Sequence, residues 1–168
     1  VTTVAVGDRV VVHPGNDELG RIGNGSAEGG LAPRLLVRAA DAPERLYRVP
    51  DELDLGIAAL AEPLSVGINA VTQAEAGASD TVAIFGGGPI GLAALAALVD
   101  AGNEQTVVVD FSGARLALAR EMGAQAALNP ADGGLWKRLR ELHGSAPFMF
   151  GPTPGTDVYI EASGAAAV

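Results

Sequence analysis

The spacing of apolar and polar positions changes along the chain and separates two kinds of segment. The first third combines short apolar runs with long polar turns, and it predicts strands at residues 9–12, 31–38 and 44–49. From residue 81 onward, apolar runs of strand length alternate with runs of helix length. Strands separated by crossover helices predict a parallel sheet covered on both faces, which is the α/β fold class.

The second segment carries clear boundaries for its elements. It predicts four strands, at residues 81–85, 106–110, 125–128 and 156–161. It also predicts helices at residues 89–101 and 113–122, and a third helix from a cap at Asp132 to His143. Ahead of it, residues 57–71 predict a helix kinked or restarted at Pro63, and residues 144–155 predict a surface loop.

The composition narrows the class of protein. The 168 residues are 48% hydrophobic and 18% charged, which suits one domain or parts of two around a real core. Eleven basic against 20 acidic side chains give a net charge of −9, so we expect no nucleic-acid partner, because a polyanion is attracted to clustered Lys and Arg. The lack of cysteine excludes disulfides and thiolate metal sites within this chain, leaving His13 and His143 as the imidazoles.

The N-terminal and apolar segments carry an expectation about location. No apolar run approaches the roughly 18–20 residues of a membrane span, and the first residues lack the order of a signal peptide. We therefore expect a cytoplasmic protein without a membrane partner.

A G-x-G-x-x-G motif, Gly86-Gly87-Gly88-Pro89-Ile90-Gly91, lies between a predicted strand and a predicted helix. Gly86 permits a tight turn, Gly88 lets a pyrophosphate approach the backbone, and Gly91 allows close packing of helix on strand. The unpaired N–H groups at the start of the helix attract the same anion. The motif predicts dinucleotide-binding residues at Gly86, Gly88, Pro89, Ile90 and Gly91, and the alternative is a glycine-rich turn that binds nothing.

Asp110 ends the next predicted strand, 19 residues beyond Gly91. At this position an acidic side chain accepts hydrogen bonds from both hydroxyls of the adenosine ribose. A 2′-phosphate would bring two anions into contact, so the residue favours NAD over NADP. Arg115 either flanks the ribose or adenine or stabilises the loop by pairing with Asp110, and both interpretations stay open.

Glu62 places a carboxylate in the otherwise apolar residues 61–71. Burying a charge is costly unless the group is paired, hydrogen-bonded or bound to a metal. One interpretation is that Glu62 interacts with the dipole of a helix that begins near Pro63. The other is that it binds a partner of its own.

Four features of the chain together resemble the zinc-containing medium-chain dehydrogenase/reductase family, in particular its sorbitol and threonine dehydrogenase branch. They are the segment Glu62-Pro63-Leu64-Ser65-Val66-Gly67-Ile68, the glycine motif, Asp110 and the segment Gly7-Asp8-Arg9-Val10. The resemblance implies a Rossmann-type doubly wound sheet, incomplete here, preceded by part of a GroES-like β-rich catalytic domain. The implied boundaries are 1–54 for the partial catalytic domain, 55–78 for a connecting helical segment and 79–168 for the first half of the NAD-binding domain. The same resemblance implies a catalytic zinc, with Glu62 as its direct ligand or as a neighbour linked through water. It also implies that Val66 faces the nicotinamide.

The implied activity is zinc-assisted hydride transfer between an alcohol or polyol and NAD, in a homo-oligomer of two or four subunits. The family's Cys and His-Glu ligands belong upstream of Gly7, and half of its nucleotide-binding fold belongs after Val168, so we expect a segment that is inactive alone. Residues 14–30 lack the cysteines of a structural zinc lobe, and Asn69 stands where relatives often carry His. The alternatives are a zinc-free NADP-dependent quinone or enone reductase and a non-catalytic dinucleotide-binding module.

Overall fold

A computed structural model of the protein describes residues 4–15, 18, 20–23, 26–149 and 151–165. The chain divides into two compact units, Val1–Ala61 and Glu62–Val168. The connecting segment expected at residues 55–78 is shared between these units, and the three-part division of the family stays a prediction. Part of the loop expected in place of the cysteine lobe, at residues 16–17, 19 and 24–25, lies outside the described residues.

The first unit contains two short antiparallel strands, β1 (Val10–Val12) and β2 (Leu46–Arg48), within the predicted segments 9–12 and 44–49. Arg45 is fully buried beside β2. Its Nη1 donates to the carbonyl of His13 at 2.9 Å and its Nη2 to the carbonyl of Gly20 at 2.7 Å. These two bonds attach the long loop after β1 to the residue that precedes β2.

The strand predicted at residues 31–38 is wrong, because the structure has bends and a turn there. Leu31 and Leu36 are exposed, so the apolar positions that suggested a strand have no buried face to occupy. Pro33 also lacks the N–H that a ladder requires.

Two helices follow, α1 (Leu55–Ala58) and α2 (Ala61–Gln73). Asp54 caps α1 by accepting the N–H of Gly56 at 2.7 Å. The break between the helices falls ahead of the kink predicted at Pro63. Pro63 instead lies in the first turn of α2, where a backbone N–H has no partner within the helix.

By length and composition alone, Leu55–Gln73 could cross a membrane, since its 19 residues contain a window with mean hydropathy 1.4. This corrects the expectation that no apolar run approaches that length. A hydropathy average tolerates Glu62 and the other polar residues that interrupt a strictly apolar run. The core helix of a globular protein passes the same test, but such a helix is mostly buried, and only 17% of this window is buried.

The remaining elements of the second unit alternate between strand and helix. The strands are β3 (Val82–Phe85), β4 (Thr106–Val109), β5 (Ala126–Leu128), β6 (Ser145–Ala146), β7 (Thr153–Pro154) and β8 (Val158–Glu161). The helices are α3 (Pro89–Asp100), α4 (Gly113–Glu121) and α5 (Leu135–His143). Four strands form one parallel sheet in the order β5-β4-β3-β8. The other two strands pair as a small antiparallel hairpin inside the predicted surface loop.

Helices cover both faces of the sheet. Since neighbouring side chains of a strand point to opposite faces, one strand contributes to the core on each side. In β4, Val108 belongs to one core cluster together with Leu95 of α3 and Leu116 of α4. Val107 belongs to a second cluster with Leu139 of α5. Helices covering both faces of a parallel sheet confirm the α/β class and the Rossmann-type doubly wound arrangement.

The cap predicted at Asp132 is wrong. Residues Pro130–Asp132 form a short 3-10 turn, and α5 begins only at Leu135. Gly133 and Gly134 both adopt positive φ, at 74° and 67°, so the chain reverses direction between the 3-10 turn and the helix.

Gly67 brings α2 close to the backbone of α3. A Cβ at this position would lie 2.6 Å from the carbonyl carbon of Ala93 and 2.6 Å from the nitrogen of Ala94. Real Cβ atoms do not approach backbone at that distance, so the two helices can pack in this way only around glycine.

We predict that Gly67→Ala destabilises the protein although alanine is the better helix former. The helix gains about 0.5–1 kcal/mol, but overpacking against fixed backbone costs about 1–3 kcal/mol. Denaturant unfolding should show a net loss of roughly 1 kcal/mol, the middle of the range of about 0–2.5 kcal/mol that these two effects leave. Asn69→Ala, on an exposed position of the same helix, is the matched control and should stay within about 0.5 kcal/mol of the unsubstituted protein. Equal stability of both variants would contradict the close packing.

His143 ends α5 as a buried imidazole, 8% exposed. Its Nδ1 lies 2.8 Å from Oγ1 of Thr156, while its Nε2 has no hydrogen-bond partner. Burial lowers the pKa of His143, and the nearby backbone of Gln105 and the charge of Asp157 oppose this effect.

We predict that His143 makes stability depend on pH below about 6.5, its ordinary pKa. Its pKa is lower in the folded state, so between the two values the unfolded chain binds more protons and stability falls as the pH falls. Unfolding free energies measured at pH 7.5 and 5.5 should differ less in His143→Gln than in the unsubstituted protein. An unchanged pH dependence in that variant would assign the effect to other groups.

Candidate dinucleotide-binding site

The glycine motif follows β3 at the point where the strand order of the sheet reverses. The next strands along the chain, β4 and β5, lie on one side of β3, and β8 lies on the other. In open parallel sheets, ligands bind outside the carboxyl ends of the strands at such a switch point. Residues 86–91 therefore occupy the position where a ligand is expected.

Two glycines of the motif serve close packing. Gly86 has a φ of 105°, and a Cβ there would lie 2.6 Å from the carbonyl carbon of Ala162, just after β8. A Cβ at Gly91 would lie 1.8 Å from the carbonyl oxygen of Gly86. These contacts hold the turn between the end of β8 and the first turn of α3.

Gly88 has a different environment. It is the N-cap residue of α3, with no side-chain cap, and a Cβ there would meet nothing within 4 Å. Pro89 follows at the first helical position, and Ile90 contributes a backbone N–H to the same first turn. Open space beside a helix N-terminus suits a diphosphate, because backbone N–H groups and the helix dipole both attract anions.

Asp110 lies directly after β4 and is tied to the turn. Its Oδ2 accepts the backbone N–H of Gly87 at 2.7 Å, and its Oδ1 accepts the N–H of Ser112 at 2.7 Å. Burial acts to raise the pKa of Asp110, but these two N–H groups and Arg115 outweigh it and hold the pKa below its ordinary value. The side chain is therefore a carboxylate at neutral pH, at the strand end where a ribose is expected.

Arg115 pairs with Asp110, as the second of its two interpretations expects. The Nη1 of Arg115 lies 3.4 Å from Oδ2 of Asp110, and the Arg115 side chain is 55% exposed. A long contact with an exposed side chain leaves the guanidinium free to turn toward a ligand. The pairing is thus compatible with a role beside the ribose, which stays a prediction.

The turn after β8 is organised by Glu161. Its Oε1 accepts hydrogen bonds from the hydroxyl and the N–H of Ser163, both at 2.6 Å, and from the N–H of Gly164 at 3.1 Å. The Ser163 hydroxyl and these N–H groups hold the pKa of Glu161 below its ordinary value, against a smaller effect of burial. The ordered turn carries the Ala162 backbone that packs on Gly86.

Glu62 lies in the first turn of α2, where a carboxylate interacts favourably with the helix dipole, and its side chain is exposed. Val66, one turn further, is 40% exposed. Among the described residues, no group of three or more His, Cys, Asp and Glu side chains is placed to hold a metal ion. The metal role of Glu62 and the nicotinamide contact of Val66 stay predictions.

The sequence reasoning missed two participants, Gly87 and Ser112. Gly87 is the variable position of the motif, and its N–H binds Asp110. Ser112 caps α4, its side chain accepting the N–H of Arg115, and it also donates its own N–H to Asp110. A Ser directly before a helix is a recognisable cap signal, so Ser112 could have been found. The contact of Gly87 depends on how the two loops meet.

A glycine turn at a switch point, an open helix N-terminus and a carboxylate at the end of the next strand define a Rossmann-type dinucleotide-binding domain. Residues 89–168 match the family model described as zinc-binding dehydrogenase. The chain is 33% identical to sorbitol dehydrogenase of Bos taurus over 175 residues, covering 93% of this chain and 48% of that protein. The chain belongs to the zinc-containing medium-chain dehydrogenase/reductase family.

Solved structures agree with this assignment. The 2R,3R-butanediol dehydrogenase of Bacillus subtilis superposes with a TM-score of 0.68 at 29% identity, covering 98% of this chain and 47% of that chain. A protein of Sinorhizobium meliloti described as a zinc-binding dehydrogenase, and bound to NADP, superposes with a TM-score of 0.61 at 32% identity, covering 73% and 34%. The chain spans about half the length of the curated relatives it matches.

We predict very different stability losses for the same substitution at two glycines of the motif. Gly91→Ala places a methyl group 1.8 Å from a backbone oxygen, so α3 or the turn must move, at a cost of about 3 kcal/mol. Gly88→Ala meets open space and keeps an extended backbone, so its unfolding free energy should change by less than about 0.5 kcal/mol. Denaturant unfolding of both variants measures the contrast. Equal losses would contradict the packing described for Gly91.

Proposed function

We propose that this chain supplies the dinucleotide-binding part of an NAD-dependent oxidoreductase that acts on an alcohol or polyol. The observation that carries the proposal is the Asp110 carboxylate beside the glycine turn, 2.7 Å from the N–H of Gly87. The named activities of sorbitol dehydrogenase and butanediol dehydrogenase support the substrate class.

The site residues have separate tasks in this proposal. The first turn of α3 binds the diphosphate through its N–H groups, and Gly88 keeps the approach open. Asp110 accepts hydrogen bonds from the adenosine ribose, which orients the nucleotide along the carboxyl edge of the sheet. The bound nicotinamide supplies hydride acceptance or donation, and Val66 is the residue proposed to contact it.

The proposal favours NAD over NADP because of charge. A 2′-phosphate beside Asp110 would face a carboxylate that stays ionised at neutral pH. Arg115 works in the opposite sense, since an exposed guanidinium five residues away can approach a phosphate. The NADP bound by the Sinorhizobium protein makes an NADP-dependent reductase the second candidate.

Zinc is expected in this family, but the described residues of this chain do not group enough donors to hold it. No step of the reaction is therefore assigned to zinc. Glu62 as a zinc ligand, the cytoplasmic location and a dimeric or tetrameric assembly all stay predictions.

We predict that the intact protein binds NAD at least about 10-fold more tightly than NADP, a difference of roughly 1.4 kcal/mol. Trp136 can report binding, because its ring centroid lies 6.2 Å from that of Phe85, the residue before the glycine turn. Titration of its fluorescence with each nucleotide gives both affinities. Asp110→Ser should narrow the ratio, since it removes the charge that opposes the 2′-phosphate.

Gly88→Ala tests whether binding depends on the glycine turn itself. This variant should bind both nucleotides at least about 10-fold more weakly while its stability is unchanged, so the loss cannot come from unfolding. NADP binding as tight as NAD binding in the unsubstituted protein would refute the preference and favour the second candidate. No binding of either nucleotide would refute the proposed function.

A further inference from the structure

The carboxylate of Asp110 is already engaged in the protein without a nucleotide. Each of its oxygens accepts a backbone N–H at 2.7 Å, one from Gly87 and one from Ser112. The Asp110 side chain is 9% exposed. The two bonds fix the position of the carboxylate, and the bond to Gly87 also reaches the glycine turn itself.

The bond to Gly87 holds a part of the glycine turn that lies beyond the hydrogen bonds of the sheet. Gly86 is fixed by its N–H, which donates to the carbonyl of Val109 at 2.7 Å, and by its packing on Ala162. Gly91 is fixed by its contact with Gly86. Between them, the N–H of Gly87 donates to a side chain, and that side chain belongs to Asp110.

We propose that Asp110 is a positioning residue for the diphosphate-binding turn, in addition to its role at the ribose. By binding the N–H of Gly87, it fixes the backbone conformation that leads into Gly88 and the first turn of α3. The phosphate-binding N–H groups are then arranged before the nucleotide arrives. Preorganisation of this kind raises affinity, because the ligand does not have to order the loop.

The proposal predicts an effect of opposite sign to simple electrostatics. A carboxylate near an anion site repels the anion, so its removal should by charge alone strengthen diphosphate binding. If Asp110 also holds the turn, its removal weakens diphosphate binding despite the lost repulsion. Inorganic pyrophosphate has no ribose, so it separates the two roles of Asp110.

The first test follows hydrogen–deuterium exchange of the Gly87 amide in the intact, nucleotide-free protein, with fragmentation that resolves this residue. Exchange should be about 10-fold faster in Asp110→Ala than in the unsubstituted protein. It should stay unchanged in Asp132→Ala, which removes an exposed carboxylate that accepts no hydrogen bond from Gly87. If Asp110→Ala does not fold, Asp110→Asn serves instead, because a neutral amide is a weaker acceptor than a carboxylate. Unchanged exchange at Gly87 in the folded variant would overturn the proposal.

The second test measures inorganic pyrophosphate as a competitor of NAD, and it rests on the proposed function. Asp110→Ala should bind pyrophosphate about 5-fold more weakly. Asp132→Ala, which removes an exposed carboxylate of the same size, should bind it as the unsubstituted protein does. Pyrophosphate binding in Asp110→Ala that is equal or tighter would overturn the positioning role. If the unsubstituted protein bound no NAD, the proposed function would fail, while the exchange test would still decide whether Asp110 holds the turn.

Discussion

The close approach of three backbone segments around the glycine turn is the constraint on which the site depends. The turn has the end of β8 on one side and the first turn of α3 on the other, with no room for a Cβ at Gly86 or Gly91. Gly88, between them, faces open space. The same short segment is therefore tightly packed where it must be rigid and open where a ligand approaches.

Backbone N–H groups compensate negative charge at the carboxyl edge of the sheet. The chain carries a net charge of −9, yet the candidate site is suited to an anion. Backbone N–H groups explain the difference, since they attract phosphate at short range and need no basic side chain. The two carboxylates of the edge, Asp110 and Glu161, are themselves bound by backbone N–H groups, which hold them in ionised form and in fixed positions.

The sequence predicted the second unit far better than the first. In the second unit, the hydrophobic pattern and the positions of the glycines agree. An apolar strand, the glycine turn at Gly86 to Gly91 and an apolar helix follow one another, and together they predict one strand–turn–helix unit. In the first unit, Leu31 and Leu36 gave an apolar pattern without a buried face, so the predicted strand does not form. Asp132 failed as a cap because the positive φ angles of Gly133 and Gly134 decide where α5 begins.

The candidate site shows the same division. The residue types at Gly86, Gly88, Gly91 and Asp110 could be read from their spacing, because each answers a local requirement of the turn. The bond between Gly87 and Asp110 joins two loops that are 23 residues apart, and no local pattern encodes it. Glu62 was expected at the metal only through the family resemblance, and this stays a prediction, because the described residues bring no group of three or more metal donors together.

The pairing of β3 with β8 has a consequence for biosynthesis. The Gly86 turn rests on Ala162, which the ribosome adds 76 residues later. Contacts between such distant segments form late, because the intervening chain must first be ordered. During translation, the nascent chain therefore carries a glycine segment without its final support until β8 has left the exit tunnel.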